Sequence, residues 1–160
     1  MKLCDFMVKE AIIANLRAET RDAIIRELVK SLVHAGRIAT EQTDDIVKLL
    51  VEREKQGSTG IGKGIAVPHI KHRSVKEIVG TIGRSRKGID FSSLDSAPVY
   101  SVLLLISPPN NPDRHLEAME SVFTHLQKDK FRKFLRQAET REAIFDLLEE
   151  ADNSNEQDDL

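Results

Sequence analysis

One apolar run constrains the fold of this 160-residue chain more than any other feature. In Pro98–Ile106 the proline is followed by VYSVLLLI, which carries no charge. Such a run is typical of a strand buried on both faces of a sheet. It is also far shorter than the ~18 consecutive apolar residues that a membrane span needs. We therefore expect a sheet with this segment in its middle.

The rest of the chain predicts helices before and after that sheet. Ile24, Leu28 and Leu32 recur every four residues, between Thr20 as a helix cap and Gly36 as a helix end. The other predicted elements are a strand within Glu10–Leu16, a helix from Thr40 to Gly57 with Ile46, Leu49, Leu50 and Arg53 on one stripe, strands at Ile65–Val67 and Ile78–Ile82, a turn and short strand over Lys87–Ser96, a helix with His115, Met119 and Val122 on one stripe, and helices over Lys130–Gln137 and Thr140–Glu150. This order predicts an α+β fold, with layers of helix around one mixed sheet of four to five strands.

Charge and cysteine content exclude several classes of protein. The net charge is −2, and the last ten residues hold four acidic and no basic side chains, so residues 1–150 alone carry +2. Neither value gives the strong basic field of a nucleic-acid-binding protein. A single cysteine, Cys4, excludes an intramolecular disulfide framework and fits a reducing compartment. With no signal-peptide pattern and no apolar span, we expect a cytoplasmic domain over residues 1–150 and an acidic, mobile tail over residues 151–160.

A glycine-rich segment, Gly57–Gly64, contains most of a phosphate-binding P-loop pattern. Its last position needs Ser or Thr to bind Mg²⁺, but this chain has Gly64. A P-loop also follows a strand and opens a helix, whereas this segment follows a predicted helix and leads into a strand. The pattern therefore argues against a nucleotide triphosphatase. The glycines are consistent either with a flexible connector or with a backbone that approaches an anion closely.

Three polar residues at positions where apolar ones are expected suggest an anion site, although each also has a structural explanation. His69 is either a packing histidine or a nucleophile able to take a phosphoryl group near neutral pH. Arg53 lies on the apolar stripe of its helix, where its guanidinium either reaches solvent or fixes an oxyanion. His115 begins the third helix, as a half-buried packing residue or as a partner for an anion. Together the three suffice to carry a phosphoryl group without a metal or cofactor.

The segment Arg53–His69 (REKQGSTGIGKGIAVPH) closely resembles the signature of the fructose/mannitol-type enzyme IIA domains. These belong to the bacterial phosphoenolpyruvate-dependent phosphotransferase system, and the nitrogen-regulatory IIA proteins are one branch. The resemblance extends from Leu3 to about Glu150. It implies a three-layer α/β/α sandwich and a phosphohistidine phosphotransferase. His69 would then accept a phosphoryl group on Nε2 from the histidine-containing phosphocarrier protein.

The resemblance also implies roles for other residues. Arg53 would neutralise phosphate charge, and His115 would hydrogen-bond the phosphoryl oxygens or orient His69. Gly60, Gly62 and the backbone at Ile70 are the predicted substrate-binding positions.

The chain departs from the family pattern just after the signature. The family usually has glycine where this chain has Ile70, and a β-branched residue is strained if the position needs positive φ. In that case we expect a reshaped loop, with either slower phosphoryl transfer or an altered surface for the carrier protein. His72, close by, makes a metal pair with His69 conceivable, although metal sites usually need a third ligand. We assign no chemistry to Cys4.

These features support two functions at one site. The first is a phosphocarrier that passes the phosphoryl group from His69 to a IIB component. The second is a regulatory module whose choice of partner depends on His69 phosphorylation, without sugar transport. A single domain with no attached IIB or permease favours the nitrogen-regulatory branch. A phosphate-free relic, supported only by Ile70, is the third alternative.

Overall fold

The computed structural model describes the backbone of residues 1–158 and the side chains of residues 1–154. Its main elements are α1 (Arg21–His34), α2 (Thr43–Gln56), β1 (Gly60–Gly62), β2 (Ile65–Ala66), β3 (His69–Lys71), β4 (Val79–Ile89), β5 (Val99–Ser107), α3 (Pro112–Leu126), α4 (Asp129–Gln137) and α5 (Arg141–Asp158). Three short 3₁₀ helices span Leu3–Asp5, Lys9–Ala11 and Thr40–Gln42.

The predicted central strand is β5, which lies in the middle of a five-stranded mixed sheet. It pairs in parallel with β2 and β3 and antiparallel with β4, while β1 forms a hairpin with β2. His69 of β3 lies opposite Leu105, and Ile70 lies opposite Ile106. This register brings the short strand that begins with His69 to the carboxyl end of β5.

Helices cover both faces of the sheet, which confirms the three-layer α/β/α architecture. Successive side chains of a strand point to opposite faces. Val102, Leu104 and Ile106 accordingly join the buried cluster that contains the apolar residues of α1 and α2. Leu103 and Leu105 join the other cluster, with the apolar residues of α3, α4 and α5. The run is apolar throughout because both of its faces are buried.

The predicted ends of the first two helices are largely confirmed. Thr20 caps α1 by accepting the Ala23 N–H, and Gly36 follows the helix with φ +76°. Thr40 does not cap α2, because a 3₁₀ turn over Thr40–Gln42 leads into the helix, which begins at Thr43. The Thr43 N–H bonds the Thr40 carbonyl, so the backbone of that turn takes the place of a side-chain cap.

The predicted strand within Glu10–Leu16 is wrong. The segment contains the 3₁₀ helix Lys9–Ala11 and meets β4 at one isolated bridge, Ile13 with Gly83. There the N–H groups of Ile13 and Leu16 donate to carbonyls of β4. A Cβ at Gly83 would lie 2.8 Å from side-chain carbons of both Leu16 and Leu28. The segment therefore bonds β4 at a few backbone positions and packs Leu16 over Gly83, without forming a regular strand.

The end of the chain also differs from the expectation of a domain boundary at residue 150. Helix α5 continues through Asp158, and Asp152 is buried. Its carboxylate accepts the backbone N–H groups of Leu3 (2.7 Å) and Cys4 (3.0 Å). These bonds tie the two ends of the chain together. The last two residues of the predicted mobile tail, 159–160, lie outside the described residues.

Candidate functional site

His69 is the first residue of β3, directly after Pro68, and its ring is half-buried. Its Nδ1 lies 2.6 Å from the carbonyl oxygen of Val67. A carbonyl can only accept a hydrogen bond, so Nδ1 carries the proton and donates it. The other ring nitrogen, Nε2, then holds a lone pair. The local backbone thus selects the tautomer in which Nε2 is the nucleophile.

His115 faces His69 from the first turn of α3, and the two ring centroids are 6.0 Å apart. The helix begins three residues before His115, with the Asn111 side chain accepting the Arg114 N–H and Pro112 as the first helical residue. His115 Nδ1 lies 2.6 Å from the hydroxyl of Ser107, the last residue of β5. This contact fixes the ring relative to the sheet.

The environment of His115 favours its neutral form. Burial lowers the pKa of His115 below its ordinary value, and the neighbouring His69 and Lys71 lower it further. A neutral imidazole has one N–H donor and one acceptor nitrogen. With Nδ1 bonded to Ser107, Nε2 is the ring nitrogen left to meet a ligand.

Arg53 lies in the last turn of α2, and its guanidinium donates to the carbonyl of Gly57 at 2.7 Å. Within the described part of the chain, that guanidinium hydrogen-bonds neither imidazole. The structure therefore brings His69 and His115 together and ties Arg53 to the start of the glycine-rich segment.

That segment is partly a β-hairpin, so the simple connector interpretation is wrong. Gly60 and Gly62 lie in β1 and contact the Phe91–Ser96 segment. A Cβ at Gly60 would clash with the Ser93 side chain, and Gly62 has φ +93° beside Asp95. These two glycines are needed for close packing and backbone shape. None of the described backbone hydrogen bonds joins Gly60 or Gly62 to His69.

Two residues at the site were not singled out from the sequence. Glu54 is buried, and its carboxylate accepts both the backbone N–H and the hydroxyl of Thr59. Its position four residues after Leu50, on the apolar stripe of α2, is a signal that a sequence reading could have used. Ser107, a polar residue at the end of the apolar run, is the second.

The concern about Ile70 is corrected by the structure. Ile70 lies in the extended strand β3, paired with Ile106, and packs half-buried against the cluster under α1 and α2. A β-branched residue suits this position, since no positive φ is required. The expectation of a strained, reshaped loop is therefore wrong.

His72 does not form a metal pair with His69. It is buried, with Nε2 2.6 Å from the Asp45 carboxylate and Nδ1 2.6 Å from the Ser74 hydroxyl. Among the described residues, no group of three His, Cys, Asp or Glu side chains could hold a metal ion. The cluster instead links the start of α2 to the end of β3.

In the described part of the chain, none of the helices has the length and apolar content needed to cross a membrane. Cys4 is half-buried, and burial together with the Asp152 carboxylate raises the pKa of its thiol to about 12. The thiol is therefore protonated at neutral pH and stays outside the chemistry of the site.

Comparison with known proteins supports the sequence resemblance. The chain is 35% identical over 152 residues to the fructose-specific EIIABC component of Bacillus subtilis, covering 95% of this chain but only 24% of that larger protein. It is 30% identical over 148 residues to a nitrogen regulatory protein of Bradyrhizobium diazoefficiens, covering 92% of this chain and 95% of that protein.

Solved structures agree with this assignment. The nitrogen regulatory protein IIA-Ntr of Neisseria meningitidis has a TM-score of 0.80 and 26% identity, over 90% of this chain and 97% of that one. IIA mannitol of Escherichia coli, at 22% identity and a TM-score of 0.72 over 88% of this chain and 97% of that one, shares the fold. Residues 5–151 match the family model described as "Phosphoenolpyruvate-dependent sugar phosphotransferase system, EIIA 2". The chain therefore belongs to the EIIA 2 family of the phosphoenolpyruvate-dependent sugar phosphotransferase system.

Proposed function

We propose that this chain is a phosphocarrier whose His69 accepts a phosphoryl group on Nε2 from the phosphohistidine of a carrier protein. The observation that carries the proposal is the hydrogen bond from His69 Nδ1 to the Val67 carbonyl. It leaves Nε2 unprotonated and holds the ring in one orientation. A fixed lone pair is the requirement for nucleophilic attack on phosphorus.

The transfer is a displacement between two imidazoles. The lone pair of His69 Nε2 forms a bond to phosphorus while the phosphorus–nitrogen bond of the donor histidine breaks. The electron pair of that bond stays on the donor ring, which then takes up a proton from solvent. Catalysis of such a step rests on positioning and on stabilising the negative charge of the phosphoryl oxygens.

His115 is proposed to bind those oxygens. If the Ser107 hydroxyl donates to Nδ1, then the His115 proton resides on Nε2 and can be donated toward a group on His69. Burial keeps this imidazole neutral before transfer. A phosphoryl group on His69 would add negative charge nearby, which raises the pKa of His115 and strengthens its hydrogen bond.

Arg53 is proposed to neutralise the remaining charge. Its guanidinium donates one hydrogen bond, to the Gly57 carbonyl, and breaking that bond would let the side chain rotate toward a phosphoryl group. We predict that Arg53→Ala slows transfer with little loss of stability, and that Lys55→Ala, an exposed cation on the same turn, does not. An unchanged rate in Arg53→Ala would remove Arg53 from the site.

The predicted substrate-binding positions differ in what they are proposed to do. The Ile70 backbone, next to His69, remains the proposed main-chain contact for the phosphoryl group. Gly60 and Gly62 are proposed to act indirectly, because both pack against the segment beyond β4.

A IIB component or a regulatory target is the proposed recipient. One solved structure with the same fold is a complex of enzyme IIAMTL with phosphorylated enzyme IIBMTL, which supports a IIB partner. The regulatory alternative is supported by the nitrogen regulatory proteins, one of which this chain matches over 95% of its length.

The test is incubation of the protein with the general phosphotransferase proteins and labelled phosphoenolpyruvate. We expect acid-labile, base-stable label that is absent from His69→Ala and retained in His34→Ala, a variant of an exposed histidine on α1. No label on the wild type would contradict a phosphocarrier. Label that passes to a sugar-specific IIB favours the transport role, and label that passes to none favours the regulatory role.

A further inference from the structure

A basic cavity of about 410 Å³ lies away from the two histidines. It is bounded by the β1–β2 hairpin, by the start of β5 and by α4. The charged side chains in its wall are Lys63, Arg132 and Arg136, and the wall contains no carboxylate. Such a cavity favours an anionic occupant.

Two of these cations are available to a ligand. Arg132 already bonds Asp129 and the Leu126 carbonyl. Lys63 and Arg136 make no ion pair with any residue whose side chain the structure describes. Outside the cavity wall, the buried guanidinium of Arg84 bonds the Arg136 carbonyl at 3.1 Å and adds a further positive charge next to α4.

The orientation of Arg136 is set by an aromatic ring. Its guanidinium carbon lies 3.6 Å from the ring centroid of Tyr100, a stacked cation–π contact. Two glycines with positive φ, Gly64 and Gly88, leave space for the Tyr100 ring. A Cβ at Gly64 would lie 3.2 Å from the ring, and one at Gly88 would lie 3.0 Å from it. The backbone is therefore shaped to accept the ring that presents Arg136.

A guanidinium over an aromatic face still points its N–H groups outward in its own plane, where they can form paired hydrogen bonds to a phosphate or carboxylate. Ile65, Ala97 and Pro98 provide an apolar wall beside these donors. The volume falls within the roughly 300–1,000 Å³ of small-molecule sites. The lining thus suits a molecule with an anionic head and a less polar body.

The cavity is separate from the proposed phosphoryl site. His69 lies opposite Leu105 in the sheet, four residues of β5 beyond Ser101 in the cavity wall. Four residues of strand span about 13 Å at roughly 3.3 Å per residue. A ligand in the cavity would not touch His69.

We propose that this cavity is a binding site for a small organic phosphate, with Arg136 and Lys63 holding the phosphate and the apolar wall holding the rest of the molecule. This site is additional to the phosphocarrier function and does not depend on it. It gives the domain a means to sense a phosphorylated metabolite.

The test is calorimetric titration of the full chain with ADP, phosphoenolpyruvate and inorganic phosphate. We expect saturable binding of one or both organic phosphates with a dissociation constant of about 1 mM or tighter, and weaker binding of inorganic phosphate. Arg136→Ala and Lys63→Ala should each weaken binding at least about tenfold. Lys133→Ala, an exposed cation on the same helix and outside the cavity, is the matched control.

His69→Ala separates this proposal from the phosphocarrier function, because binding at the cavity should be unchanged in that variant. The thermal midpoint of Arg136→Ala should fall only slightly, because the variant loses its contact with the Tyr100 ring while its backbone carbonyl still accepts from Arg84. Three results would overturn the proposal: no saturable binding of either organic phosphate, equal binding of inorganic phosphate, or loss of binding in His69→Ala.

Discussion

The contact between Ser107 and His115 offers a quantitative test of how the site is built. Ser107 is fully buried at the end of β5, and its hydroxyl lies 2.6 Å from His115 Nδ1. Ser107→Ala removes that hydroxyl without changing the backbone of the strand. The imidazole then loses the bond that sets its orientation and its tautomer, while its partner ring on His69 keeps its own bond to the backbone.

The expected size of the effect follows from the loss of one neutral hydrogen bond. Such a bond contributes about 0.5–1.5 kcal/mol net. If all of it is realised during transfer, the rate of phosphorylation falls roughly 2- to 12-fold. Stability should change by no more than about 1.5 kcal/mol, because one buried partner is lost and no large cavity forms.

The assay is rapid-quench measurement of transfer from the phosphorylated carrier protein, with the second-order rate constant as readout. Ser101→Ala, a buried serine on the same strand, is the matched control and should transfer at the wild-type rate. The double variant of Ser107 and His115 should be no slower than His115→Ala alone, because the serine acts only through that ring. A wild-type rate in Ser107→Ala, or additive losses in the double variant, would refute this reasoning.

Three further predictions concern stability and pH. Ile70→Gly should lower the free energy of unfolding by about 2–3 kcal/mol in urea, because a packed strand side chain is lost; a more stable variant would mean that the position prefers glycine after all. Glu54→Ala should destabilise by about 2–4 kcal/mol by leaving two donors of the hairpin entry without an acceptor, whereas Glu52→Ala, exposed on the same helix, should change little in the same denaturation. Burial lowers the pKa of His115 and His125, so the unfolded state binds more protons than the folded state. The thermal midpoint of unfolding should therefore fall as the pH drops below about 6.5. A midpoint that rises in that range would contradict both pKa shifts.

Elements with a strong local pattern could be predicted from the sequence. The central strand was evident because Val102–Ile106 is apolar at every position, which only burial on both faces explains. Helix α1 was evident from its four-residue spacing and its cap at Thr20. The predicted strand within Glu10–Leu16 failed because a short apolar pair fits a packed irregular segment equally well.

Long-range contacts could not be predicted. The Asp152 carboxylate accepts hydrogen bonds from backbone N–H groups almost 150 positions earlier in the chain. The acidic sequence around Asp152 therefore gave no sign that this residue is buried. The roles of His69 and His115 could be inferred from the family resemblance, but their tautomers depend on Val67 and Ser107. Ile70 was misjudged because residue type alone does not reveal the backbone conformation of its position.

The identity of the phosphorylated atom tests the central claim most directly. Nitrogen NMR of the histidine rings, recorded on the protein after phosphorylation by its carrier, distinguishes the two nitrogens of each imidazole. We predict a phosphorus–nitrogen bond at Nε2 of His69, with Nδ1 still protonated and donating to the Val67 carbonyl. A phosphoryl group on Nδ1 of that ring, or on any other residue, would contradict the account.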